Sequence, residues 1–259
     1  NLHWLQSTSH GIDKCVTSGV EKKEDFILTN SQHTSAIPIA EHVMAMLLSL
    51  TRGLNNFHMA KNNRQWIERS VDFPMVEIYG KTMFVVGLGG IGTAVARRAN
   101  AMGMDVVATR NSSREGPDFI EYVGLSHELY DLAARADVIV GALPLTDETL
   151  GIFDEQFFDA VKPGAYFISV GRGPNTVLSD LIDALKDGRL SGAALDVTDP
   201  EPLPSDHELW TLPNVIITPH VARYTDLGVS RRWAVMEENL RRYINGERLL
   251  NVVNMERGY

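Results

Sequence analysis

Val86-Gly87-Leu88-Gly89-Gly90-Ile91-Gly92 decides the reading of this chain. It follows the apolar run Met83-Phe84-Val85 and opens an amphipathic stretch, so its glycines fall at a strand-to-helix turn. Gly87 permits the tight turn, Gly89 lets a ligand approach the backbone, and Gly92 lets the helix lie close on the strand. Free amides near Gly90 and Ile91 sit at the positive end of that helix, a place suited to the pyrophosphate of a dinucleotide.

Outward from this turn, a regular alternation runs from Lys81 to about Ala222: an apolar run, a turn, an amphipathic stretch, then another apolar run. Such alternation predicts a parallel sheet. The strands expected are 83–86, 105–109, 138–142, 165–170, 193–197 and 215–218. They are apolar on both alternations, as a sheet covered on both faces requires. Helices are expected over 91–102, 127–135, 155–161 and 180–187, with Ser126 and Ser179 as N-caps and Gly188 as a C-terminal stop. The flanks differ, with a long apolar helix over 38–50 and a charged amphipathic helix over 226–246. These define a dinucleotide-binding domain over 81–225 and a second domain built from 1–80 and 226–259.

The strand 105–109 ends in Arg110, about twenty residues past the glycines, where an NAD site places an acid on the ribose hydroxyls. Arg110, Asn111, Ser112, Ser113 and Arg114 instead offer two guanidinium groups and hydroxyls, a nest for the 2'-phosphate of NADP. NADP is therefore the preferred cofactor and NAD the alternative. Three further polar residues each follow an expected strand on the side where open α/β sheets bind ligands: Arg172, Glu201 and His220. A cation and a proton donor are what hydride addition to a carbonyl needs, because negative charge develops on the oxygen. Arg172 and His220 supply them, and Glu201 can orient the imidazole ring. Reduction is then favoured at lower pH, where His220 carries its proton.

In this combination the chain resembles the D-isomer-specific 2-hydroxyacid dehydrogenase family. The likeness extends to Gln6-Ser7-Thr8-Ser9-His10-Gly11-Ile12-Asp13, Ala40-Glu41-His42, Leu143-Pro144-Leu145-Thr146 and Arg189-Leu190-Ser191-Gly192-Ala193-Ala194-Leu195-Asp196-Val197. The resemblance implies a Rossmann-type doubly wound sheet with a second, partial flavodoxin-like substrate domain. It also implies that Arg172 holds the substrate carboxylate and keto oxygen, that His220 is the acid-base group and that Glu201 pairs with it. His10 and Gly11 resemble the substrate-carboxylate loop. Asp196 matches the residue holding the nicotinamide amide, and Leu143, Pro144, Thr149 and Val170 match further cofactor contacts. Arg110 resembles the family's glyoxylate and hydroxypyruvate reductases. Tyr224 stands where a smaller residue is usual and is a candidate to line the substrate pocket. Family members begin with several dozen further residues, so a missing N-terminal segment is expected. The helix over 38–50 corresponds to one that packs across a two-fold dimer, and Trp66 is a further interface or core candidate.

The formal charge of -9 argues against a nucleic acid or anionic membrane partner, so an anionic 2-keto or 2-hydroxy acid must meet a local basic pocket. The single cysteine, Cys15, excludes an intrachain disulfide and a multi-cysteine zinc site, which fits a reducing, cytoplasmic setting. No histidine pair has metal-ligand spacing with a third ligand, and no metal is expected. Two other functions compete. A formate or phosphite dehydrogenase of the same fold is disfavoured by Glu201, which formate-specific relatives replace with an amide. A cofactor-sensing, corepressor-like binding module would keep the same residues without turnover.

Overall fold

The computed structural model describes residues 2–9, 11–12, 26–67 and 75–255. Seven parallel strands form one sheet: β3 (Thr82–Val86), β4 (Asp105–Thr109), β5 (Tyr122–Gly124), β6 (Val138–Gly141), β7 (Ala165–Ser169), β8 (Leu190–Leu195) and β9 (Val215–Ile217). Their order is β5-β4-β3-β6-β7-β8-β9. The chain thus builds outward from β3 on one side, then reverses and builds outward from β6 on the other. The reversal point between β3 and β6 is where a doubly wound sheet opens a crevice at its carboxyl edge.

The sheet's period of two sorts its side chains between two cores. Met83, Val85, Val106, Val138, Val140 and Ile168 face one side, and Phe84, Val86, Val107, Ile139 and Phe167 face the other. The first side is covered by α1 (Ala36–Thr51) and α3 (Gly90–Ala101). The second is covered by α4 (Leu129–Ala133), α5 (Glu155–Ala160) and α6 (Leu178–Lys186), with Phe153, Phe157, Phe158 and Phe167 packed edge to face. Both faces being dry explains why the strands read as continuous apolar runs. A short helix α2 (Leu54–Asn62) follows α1 after the left-handed Gly53.

Two short parallel strands, β1 (Trp4–Gln6) and β2 (Ile27–Thr29), form a separate sheet. The long helix α7 (Gly228–Ile244) reaches it: Tyr243 stacks on Trp4, and the fully buried Asn239 donates to Gln6 Oε1 at 2.7 Å. Helix α1 belongs in sequence to the N-terminal flank, yet it buries Ala40, Val43 and Leu47 completely against the large sheet's side of the molecule. Trp66, a core or interface candidate, is 90% exposed and so is not part of this chain's core.

Two caps differ from expectation. Ser126 starts a short 3-10 turn whose preceding Leu125 N–H is taken by Glu128, and Ser179 lies inside α6, bonding to Asp180. Their hydroxyls stand one and two residues past the positions from which an N-cap side chain reaches back. The capping side chain is found instead at α5, where Asp154 accepts from Phe157 N–H at 2.9 Å. Gly188 does end α6, in the left-handed conformation that glycine adopts without strain.

Candidate active site

The glycine turn sits at the sheet's reversal point and its geometry matches the role of each residue. Gly87 has φ +98°, and a Cβ there would stand 2.9 Å from Ala142 O. At Gly92 a Cβ would overlap the Gly87 carbonyl oxygen and stand 2.9 Å from Val85 Cγ1, so only glycine lets α3 lie this close on β3. At Gly89 a Cβ would meet nothing within 4 Å, and the backbone faces an open cleft. Gly90 is backed by His33, whose Nδ1 would be 2.6 Å from a Cβ. This cradle at a helix N-terminus, with open space over one glycine and none beneath the others, fits a dinucleotide's pyrophosphate.

The cleft holds about 350 Å³. Its walls bring together most of the expected cofactor residues: Gly87, Gly89, Gly90, Ile91, Arg110, Ser112, Leu143, Pro144, Thr149 and Val170 all line it, as do Gly11 and Arg172. Arg110 Nη1 is steadied on Glu115 O at 3.2 Å. Arg114 is placed elsewhere. Its guanidinium lies 2.7 Å from Glu128 and 2.6 Å from the Tyr122 hydroxyl, outside the cleft walls. The bond to Tyr122 and the bond from Leu125 N–H hold the Glu128 carboxyl below its ordinary range, with the Arg114 charge adding to them. Arg114 is thus committed to a neighbouring carboxylate, while Arg110, Asn111 and Ser112 face the cleft.

Arg172 follows β7, its Nη1 donating to Gly171 O at 2.8 Å, and lines the cleft. The loop that bears it packs on the loop after β8 without room for a side chain, since a Cβ on Gly173 would overlap Thr198 O. The same Thr198 gives its N–H to Glu201 Oε1 at 3.1 Å, and Glu201 Oε2 meets His220 Nδ1 at 2.9 Å. Nδ1 being occupied, Nε2 is the ring atom left to face a reactant. The His220–Glu201 pair is half-exposed and stands outside the cleft's lining residues.

His220 has φ +53°, a left-handed conformation that costs a non-glycine residue and needs surrounding structure to hold it. Asp196 supplies that structure. Its backbone carbonyl accepts from His220 N–H at 2.8 Å, and its buried carboxylate accepts from the Thr218 hydroxyl at 2.6 Å, Val221 N–H at 2.9 Å and Ala222 N–H at 3.0 Å. The resemblance cast Asp196 as a nicotinamide contact; in this structure its carboxylate is used to fix the His220 turn. His42 on α1 extends the arrangement, its Nε2 lying 2.9 Å from Thr218 Oγ1. Neither His42 nor Asn175, whose buried amide joins Arg172 to the Pro144–Thr149 wall, was singled out from the sequence. The Ala40-Glu41-His42 motif was the available signal for the first; the second had none.

Tyr224 is 63% exposed, lies under the Arg223 guanidinium and does not line the cleft. The hydrogen bond and charge of Arg223 pull its phenol below the ordinary range. Gly11 lines the cleft, while His10 lies outside the described residues. Among the described residues no group of three or more His, Cys, Asp or Glu side chains could hold a metal ion, and no helix is long and apolar enough to cross a membrane.

Comparison with known proteins agrees with this geometry. The profile of the family described as D-isomer specific 2-hydroxyacid dehydrogenase, NAD binding domain, matches residues 44–222. A glyoxylate/hydroxypyruvate reductase A of Arabidopsis thaliana is 32% identical over 98% of this chain and 79% of its own. The crystal structure of an NADPH-dependent glyoxylate/hydroxypyruvate reductase from Sinorhizobium meliloti, in complex with NADP and sulfate, superposes with a TM-score of 0.87 at 30% identity. The match covers all of this chain and 80% of that one. A D-isomer specific 2-hydroxyacid dehydrogenase from Xanthobacter autotrophicus in complex with NADPH and MES gives a TM-score of 0.85 at 29% identity, with the same coverage.

Proposed function

Because the chain belongs to the D-isomer-specific 2-hydroxyacid dehydrogenase family and is a hydride-transferring oxidoreductase, we propose that it reduces a small 2-keto acid of the glyoxylate or hydroxypyruvate type with NADPH. The observation that carries this reading is the joining of three loops after consecutive strands. They set Arg172 on the wall of the dinucleotide cleft and couple its loop, through Thr198, to the Glu201–His220 pair.

Gly87 to Ile91 would hold the pyrophosphate, Leu143, Pro144, Thr149 and Val170 the remaining cofactor walls, and Arg110 with Ser112 the 2'-phosphate. The bound cofactor supplies the hydride. Arg172 grips the substrate carboxylate and polarises the keto oxygen, a charge-assisted contact that strengthens as negative charge develops there. His220 gives the proton from Nε2 to that oxygen, and Glu201 on Nδ1 holds the ring in the tautomer and orientation this requires. Asp196 fixes the turn on which His220 sits. Residues 81–225 carry the cofactor in this reading, and the two chain ends, 1–80 and 226–259, carry the substrate side, including the backbone at His10 and Gly11. Tyr224, four residues past His220 and within 81–225, would add a substrate contact from the cofactor-carrying part of the chain.

The substrate is anionic, and the chain works as a homodimer in the cytoplasm. Exposed Trp66 and the exposed Trp233 and Ile244 of α7 offer apolar surface for a partner copy. The reading is tested by following loss of reduced-nicotinamide absorbance with NADPH, then NADH, across a panel of 2-keto acids. Turnover with NADPH on glyoxylate or hydroxypyruvate is the expected result. NADPH binding without turnover on any keto acid would replace it with the cofactor-sensing reading.

A further inference from the structure

We propose that Asn175 is a positioning residue that couples the seating of the cofactor to the placement of Arg172; this rests on the reductase reading above. Asn175 follows Arg172 by three residues in a short 3-10 turn and is 1% exposed. Its side chain is used at both ends. Oδ1 accepts from Arg172 N–H at 3.0 Å, while Nδ2 donates to Thr149 O at 2.9 Å and Pro144 O at 3.3 Å. One buried amide thus bridges two segments of the cleft wall, the one that carries Arg172 and the one that contributes Pro144 and Thr149.

The bridge is specific in its chemistry. An acceptor facing one loop and two N–H bonds facing the other is a pattern that only a primary amide of this length provides. Aspartate keeps the acceptor and loses both donors, placing a carboxylate against two carbonyl oxygens. Leucine keeps the same branching and heavy-atom count, is bulkier, and loses all three bonds. The surrounding packing leaves little slack: a Cβ on Gly171 would stand 2.6 Å from Leu143 O and 3.3 Å from Asn175 Oδ1. Thr149 further ties its own loop, giving its hydroxyl to Pro144 O at 2.7 Å and accepting from Thr146 N–H at 2.8 Å. A shift of the 144–149 segment on cofactor binding is therefore passed to the Arg172 backbone through the Asn175 amide.

The test compares wild type, Asn175→Leu, Arg172→Ala and the double variant for keto-acid kinetics, and wild type, Asn175→Leu and Asn175→Asp for NADPH affinity by fluorescence titration. Misplacing a substrate-positioning group by about 1 Å costs on the order of 100-fold, so Asn175→Leu is expected to lower kcat/KM by about 10- to 100-fold. NADPH affinity should weaken by about 10-fold as the loop tie is lost. With NADPH saturating for every variant, the same change in the Arg172→Ala background should cost less than about threefold, because the residue it acts through is gone. Should Asn175→Leu fail to fold, Asn175→Asp carries the affinity arm, with the same weakening expected. Equal losses in both backgrounds, or NADPH affinity and kcat/KM kept within about twofold, would overturn the proposal and mark the amide as a fold contact only. Absence of turnover by the wild type would count against the reductase reading alone, and the NADPH titrations would still decide the tie between the loops.

Discussion

Alanine at Gly92 and alanine at Gly89 should have opposite effects, although the residues lie three positions apart in one turn. At Gly92 the added methyl overlaps a backbone carbonyl oxygen and stands 2.9 Å from Val85 Cγ1, so α3 must move off β3. Overpacking of a filled site costs about 1–3 kcal/mol, of which the better helix propensity of alanine returns at most about 1 kcal/mol. With roughly 2–4 °C per kcal/mol for a chain of this size, the melting midpoint should fall by up to about 12 °C. At Gly89 the φ of -86° suits any residue and the methyl meets no protein atom within 4 Å, so stability should hold or rise by about 0.4–1 kcal/mol. NADPH should nevertheless bind more weakly by about 10- to 100-fold, because the methyl occupies the approach to the amides that receive the pyrophosphate. Thermal melts and NADPH titrations of both variants read the contrast. A Gly92→Ala protein as stable as wild type would refute the close approach of α3, and a Gly89→Ala protein with unchanged affinity would refute the placement of the pyrophosphate.

Arg110→Ala should weaken NADPH by about 10- to 100-fold, the worth of one charge-assisted contact, and leave NADH nearly unchanged, as paired KM measurements would show. Arg114→Ala should move that ratio little, because its guanidinium is held by Glu128 and Tyr122. Thr176 is buried and its hydroxyl has no partner among the described residues; Thr176→Val should therefore raise stability by up to about 1 kcal/mol in a denaturant titration. Burial works against the charge of Asp137, but bonds from Lys162 and the Thr82 N–H, with the Lys81 charge, prevail and lower its carboxyl below the ordinary value. A carboxyl lowered in the folded state stabilises above its unfolded value, and that contribution disappears as pH falls through the folded one. Asp137→Asn should be the less stable protein at neutral pH and match wild type in acid, as melting midpoints across that range would report.

Much of the fold was legible because its strands are buried on both faces. Apolar runs such as Met83-Phe84-Val85-Val86 locate themselves, and β4 begins and ends where the sequence reading placed it. The three-residue strands β1, β2 and β5 went unread because each mixes apolar residues with a polar residue or glycine, whereas the equally short β9 is wholly apolar and was found. Position after a strand picks out Arg172, Glu201 and His220, and the structure sets them on the loops after β7, β8 and β9, with Glu201 and His220 paired. What spacing does not encode is how a polar side chain spends its bonds. Arg114 and Arg110 look alike in sequence, and only the packing of Tyr122 and Glu128 turns one away from the cleft. Asn175 is invisible for the same reason, its role residing in three bonds to residues up to 31 positions distant.

In the proposed reaction His220 is the proton donor to the keto oxygen, oriented through Nδ1 by Glu201. The most direct test of that role is single-turnover reduction by His220→Asn beside wild type, each first titrated with NADPH. NADPH affinity should be unchanged and the reduction rate lower by about 10²–10⁴-fold, the usual worth of a positioned acid. A variant that binds NADPH and reduces the keto acid at the wild-type rate would contradict it.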